Sequence, residues 1–159
     1  MNKRIVLIKS LILATVVCSA PVGAQTPLAV EYLTKMKFGS VASTLTGGGN
    51  VIISPSADTS TITGSLIDFG GVVKRGKFKV TGEPKTWVVI TMPPSFVMTK
   101  GTSSHTVTVN NFTLSTTNPV KLNKNGIKTI RFGATMNITP NQKKGTYKNE
   151  VYNINVEYQ

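Results

Sequence analysis

Apolar residues occupy every second position from Ile130 to Ile138: Ile130, Phe132, Ala134, Met136 and Ile138, with Arg131, Gly133, Thr135 and Asn137 between them. The same parity returns at the C-terminus. There Tyr152, Ile154, Val156 and Tyr158 alternate with Asn153, Asn155 and Glu157. Successive side chains of a strand point to opposite faces, whereas a helix returns to the same face only every three to four residues. A period of two therefore points away from a helix over both stretches and gives each a dry row and a wet row. A chain built this way must make a sheet and cover one face of it.

The remaining segments follow suit. Thr, Val and Ile are abundant, Gly, Pro and Asn punctuate at short intervals, and helical periodicity never lasts beyond about two turns. The first strand is expected over 27–38, with a drift of phase mid-way, and Gly39 ends it. Gly47 to Asn50 reads as a loop, Val51–Ile53 as a short buried run, and Ile62 to Phe69 as a strand ended by Gly70-Gly71. Gly76 to Gly82 alternates cleanly, with Phe78 and Val80 inward and Lys77 and Lys79 outward. Trp87 to Met92 is apolar on both faces, which predicts a central strand, and Pro93-Pro94 stops it. Strands are expected over 96–99 and 105–114, the latter bent at Asn110-Asn111, where the apolar phase changes. Asn125-Gly126 is a turn, since both residues tolerate positive φ. After it, Ile127 to Ile138 is expected to form a C-terminal hairpin with the last strand through the loop Pro140–Gly145, with a bulge near Val151 in that last strand. The fold class is all-β: an antiparallel immunoglobulin-like β-sandwich of about eight to ten strands. An outer-membrane barrel would need aromatic girdles, and aromatics are only 7% of the chain.

The N-terminus addresses the compartment. Met1-Asn-Lys-Arg4 is positive, Leu11 to Val17 is apolar, and small residues end at Val22-Gly-Ala24. This is the layout of a secretory signal peptide cleaved after Ala24, leaving 25–159 as one β-sandwich domain. The apolar run is too short to span a bilayer, which needs about 20 residues, so no transmembrane span is expected in the mature chain. Cys18, the only cysteine, lies in the leader, so no internal disulfide can form and packing alone must hold the domain. Of eighteen basic residues, three (Lys3, Arg4 and Lys9) lie in the leader, which leaves a net charge of +9 against six acids. A basic exported protein is drawn to anionic surfaces. Localisation is expected in the periplasm, on the cell surface or outside the cell.

Chemistry-bearing groups are few. His105 is the only histidine, and Glu31, Asp58, Asp68, Glu83, Glu150 and Glu157 have no ligand spacing, so neither a metal site nor a nucleophile–base pair is expected. Gly47-Gly48-Gly49 lacks the Lys-Ser/Thr and the helix of a phosphate loop. Two candidate sites remain. Lys74, Arg75, Lys77 and Lys79 form the densest basic run, which is either a solvated strand face that resists edge pairing or an anion-contacting strip. It lacks the interleaved aromatics that stack on bases, so no specific nucleic acid is expected. Tyr152, Ile154, Val156 and Tyr158 are first of all core residues, and secondly a candidate assembly strand. Loss of Tyr152 to Gln159 is expected to prevent folding, since no disulfide holds the rest.

Several short motifs carry a resemblance: Pro27-Leu28 with Lys37-Phe38-Gly39, Lys77-Phe78 through Glu83-Pro84, Val89 through Pro93, Phe132-Gly-Ala-Thr-Met136, and Gly145-Thr-Tyr147 leading to Tyr158. In order and spacing they resemble the bacterial exported family called domain of unknown function 4402. That resemblance implies a secreted immunoglobulin-like sandwich with no assigned enzymatic activity. The Tyr147–Tyr152 spacing departs by one residue from even alternation. A looser likeness is to chaperone–usher pilus subunits, which also carry a glycine about fourteen residues from the end and a penultimate tyrosine. It implies assembly by β-strand addition, to copies of itself or to other surface subunits. Only Gln25-Thr26 would precede Pro27 after cleavage, so exchange would have to use Leu28 to Phe38 itself. The expected function is a non-enzymatic, cofactor-free structural or assembly subunit of a cell-surface or fimbria-like structure. The alternative is a monomeric binding module for an anionic ligand, such as acidic glycan or lipid, through the lysine-rich face.

Overall fold

The computed structural model describes residues 25–148 and 153–159. The expected signal peptide, Tyr152 and the expected bulge near Val151 lie outside the described residues. Fourteen strands are described: β1 (Ala29–Thr34), β2 (Lys37–Phe38), β3 (Val41–Ser43), β4 (Gly49–Ile53), β5 (Ser60–Gly64), β6 (Leu66–Asp68) and β7 (Val73–Lys74). The second half gives β8 (Gly76–Thr81), β9 (Trp87–Thr91), β10 (Ser95–Thr99), β11 (Thr106–Leu114), β12 (Val120–Lys121), β13 (Ile127–Ile138) and β14 (Asn155–Tyr158). No helix occurs among the described residues, and every pairing is antiparallel.

The long alternating stretch is the hub. The large sheet runs β1-β8-β13-β11-β10, with β4 also on β13 and β5 on β4. One edge of β13 is shared: β8 takes Ile127–Phe132 and β4 takes Ala134–Ile138. The other edge holds β11 from Phe132 to Asn137. Gly133 stands at the handover, where the Ile53 carbonyl occupies the space a Cβ would need. Residues Phe132 to Met136 are buried in unbroken succession, so this part of β13 is covered on both faces.

Saturation of β13 corrects one expectation. The last strand does not form a hairpin with Ile127–Ile138. It pairs instead with β9, from Asn155↔Thr91 to Tyr158↔Val88, in a separate sheet of order β12-β9-β14. Both edges of the β13 C-terminal half already carry ladders, so the chain crosses to the opposite layer to find a partner. Trp87–Thr91 is central, as the sequence predicts, but only Val88 and Ile90 are buried, while Trp87 stays exposed on the outer face.

Two cores lie on the inner face of the large sheet. In the first, Phe78, Val80, Ile130 and Phe132 meet Val88, Ile90, Val120 and Ile154 of the small sheet, which makes this half a sandwich. In the second, Val51, Ile53, Val107, Val109, Ala134, Met136 and Ile138 are covered by two short ribbons, β2–β7 and β3–β6, through Phe38, Val41, Leu66 and Val73. Met36 and Phe112 touch both cores and join them. Burying each such side chain contributes about 1.5–3 kcal/mol, the main source of stability where no disulfide can form.

Strands are more numerous than the eight to ten expected because several segments break. The stretch 27–38 splits where its phase drifts: β1 joins β8 with a register shift between Tyr32 and Thr34, and β2 joins β7. Ile62 to Phe69 splits at Gly64, whose φ of +81° turns the chain. Gly49 and Asn50, expected in a loop, belong to β4. The bend at Asn110-Asn111 is present, as a register shift between Asn110 and Thr113 with φ of 51° at Asn111.

Gly76 is the cross-strand partner of Phe132, whose ring fills the place of the missing Cβ. Gly76→Ala is expected to destabilise by about 1–3 kcal/mol through overpacking. Phe132→Leu should recover part of that loss in the double variant, as read by thermal denaturation. Strictly additive effects would contradict the contact.

Candidate functional site

The two terminal strands meet along one flank of the molecule. Among the described residues β1 is paired only with β8, and β14 only with β9. Parity puts Ile154, Val156 and Tyr158 inward, as the sequence predicts: Ile154 is buried, and Val156 and Tyr158 pack against the first core. The Tyr158 hydroxyl accepts from the Glu83 N–H at 2.7 Å and donates to the Thr26 carbonyl. The Thr26 hydroxyl donates to the Glu83 carboxylate at 2.6 Å. Further along, the Ile154 N–H donates to the Tyr32 hydroxyl at 3.3 Å. Leu28 closes this end against Gly82, where a side chain would strike both Leu28 and Tyr158. Two tyrosine hydroxyls thus tie the edge of one layer to the edge of the other.

The basic run is placed on β7 and β8, with Arg75 between the two strands and Lys77 and Lys79 outward as expected. Its cations are largely matched by acids. Asp58 holds the Lys74 ammonium at 3.1 Å and the Arg75 guanidinium at 3.5 Å, and Lys79 meets Glu31 at 2.5 Å across the β1–β8 pair. Lys77 lies opposite Arg131. Asp58 also accepts the Arg75 N–H, and this bond, with that from Lys74, holds its carboxyl below the usual range. His105 is exposed in the turn before β11, where its N–H donates to the Ser103 hydroxyl.

A second feature was not legible from the sequence. A cleft of about 810 Å³ opens between 35–43 and 142–148, with Phe96, Met98, Val107, Met136 and Ile138 in its floor. Lys35, Lys37, Lys143, Lys144 and Lys148 line it. The pairs Lys35/Lys37 and Lys143/Lys144 are visible in the chain, but only the topology brings them together.

No group of three or more His, Cys, Asp or Glu that could hold a metal ion occurs among the described residues. No helix among them is long and apolar enough to cross a membrane. The geometry defines an antiparallel β-sandwich domain whose acids mostly serve local contacts with lysines and backbone amides. The family described as "Domain of unknown function (DUF4402)" matches residues 28–158. The chain belongs to that family, and the match covers nearly all of the described sandwich. Neither curated proteins nor solved structures give a match.

A carboxyl whose folded pKa is depressed contributes stability above its unfolded pKa, lost as pH falls through the folded value. Asp58→Asn is therefore expected to lower the melting temperature at neutral pH. The difference from wild type should vanish as pH falls below the ordinary aspartate range near about 3.9. A difference that persists unchanged at acid pH would assign the loss to packing.

Proposed function

We propose that the protein is an exported, non-enzymatic β-sandwich that acts as an assembly subunit of a cell-surface or fimbria-like structure, through exchange or addition of its terminal strands. The signal-peptide layout of 1–24 motivates export. The sparse titratable inventory motivates the non-enzymatic reading: Asp58 and Glu31 hold cations, Asp68 accepts the Gly70 N–H, and Glu83 accepts from Thr26.

The observation that carries the reading is the terminal flank. Among the described residues β1 is the first element and holds a single ladder, and it bulges between Tyr32 and Thr34 before the chain leaves for β2. Such an element can leave its own domain and enter another without threading the chain, which is the geometry of domain swapping and strand addition. Its ties to the opposite layer are the Tyr32 hydrogen bond to Ile154, worth about 0.5–1.5 kcal/mol, and the packing of Val30, only half-buried, on the first core.

The test uses Glu31 and Lys79, directly opposite in the β1–β8 ladder. Directly opposed antiparallel positions bring Cα atoms to about 4.5–5.5 Å, a separation that a disulfide spans. In a Cys18→Ser background, Glu31→Cys with Lys79→Cys should oxidise within one chain when dilute and between chains as concentration rises, giving covalent dimers or ladders on non-reducing gels. Purely intramolecular bonds, with a monodisperse monomer at every concentration, would overturn the assembly reading.

A further inference from the structure

We propose that the cleft under the two short ribbons binds a single-chain anionic amphiphile: a hydrocarbon tail on the cleft floor and an acidic head among the lysines. This goes beyond the assembly reading and does not depend on it.

The two covers of the large sheet differ. The first core lies beneath a three-stranded sheet, whereas the second lies beneath two ribbons of two and three residues per strand. The floor of the resulting cleft is apolar, and Met36, Met98 and Met136 all line it, three of the five methionines in the chain. Unbranched thioether side chains adapt to flexible, irregular ligands better than branched ones do. The volume, about 810 Å³, falls within the range of small-molecule sites. At the mouth Phe69 and Val72 are 68% and 59% exposed, extending the apolar surface outward.

The charge around the cleft is one-sided. The three ion pairs found among the described residues employ Lys74, Arg75 and Lys79, none of which lines it. Among the described residues, Lys35, Lys37, Lys143, Lys144 and Lys148 have no carboxylate within ion-pair distance. Asp68, the nearest acid along the chain to the exposed Phe69, accepts the Gly70 N–H. An apolar trough rimmed by ammonium groups that pair with no described carboxylate complements a molecule that is apolar along its length and anionic at one end.

The methionines give the test. With the purified protein labelled at methionine methyls, palmitate below its micelle concentration should shift Met36, Met98 and Met136 saturably. Met92, which packs on the first core, should stay unmoved. Cetyltrimethylammonium, with the same tail and opposite charge, should bind about tenfold more weakly. Lys143→Glu with Lys144→Glu and Lys148→Glu should invert that preference, and circular dichroism checks that the variant is folded. The proposal is overturned if no methyl moves, or if Met92 moves with the others. Equal binding of the two charges would also overturn it. Cleft methyls that shift on raising protein concentration alone would place a second copy of the chain there instead. Flotation with phosphatidylglycerol vesicles without methionine shifts would assign the lysines to a bilayer surface, and would equally overturn it.

Discussion

Everything in this fold depends on β13 holding a ladder on both edges. β8 and β4 share one edge end to end, and β11 takes the other. β13 is twelve residues long, whereas β8 and β4 have six and five, so one edge accepts both in turn. That arrangement creates the two cores, because β8 and β4 lead away toward different covers. It also needs Gly133 at the handover, where the Ile53 carbonyl leaves no room for a side chain. With both edges saturated, the final strand is forced into the other layer.

The two halves then differ in how well they are closed. Over the first core, β9 is central and β12 and β14 flank it. Where β12 is short, the Asn118 side-chain amide extends it, accepting from the Ile90 N–H and donating to the Ile90 carbonyl in the manner of a strand backbone. Over the second core no comparable sheet exists among the described residues. The ribbons β2–β7 and β3–β6 are tied by the Gly39–Gly71 turns, with Ser40 N–H donating to the Gly70 carbonyl and Phe69 N–H to the Ser40 carbonyl. Short ribbons bury less area than a sheet, and apolar surface remains at their rim. The closed half places the first and last described strands side by side, while the open half carries the lysine-rimmed cleft.

The sequence shows which residues face inward far better than which strands pair. Parity alone places Phe78, Val80, Ile130, Phe132, Met136 and Ile154 inside, because side-chain alternation is a local property of the strand. The drift in 27–38 marks a real break, and the phase change at Asn110 marks a real bulge. Pairing is a competition among all strands for a limited number of edges, and no local signal records that an edge is already taken. That is why the C-terminal hairpin is expected from proximity in the chain yet absent in the fold. The same holds for charge: Lys74, Arg75 and Lys79 look like a free strip until Asp58 arrives from the loop between β4 and β5 and Glu31 from β1. The cleft lysines come from segments about a hundred residues apart, so only tertiary structure could collect them.

Residue-resolved native-state hydrogen exchange tests the central role of β13 most directly. Amides of Ile130 to Met136 should exchange only through global unfolding, and their opening free energies should match the stability measured in denaturant. Amides of β1 and β14, each held on one edge among the described residues, should open at lower free energy. Exchange from β13 by a smaller, local opening, with β14 or β1 as the most protected strand, would contradict the account.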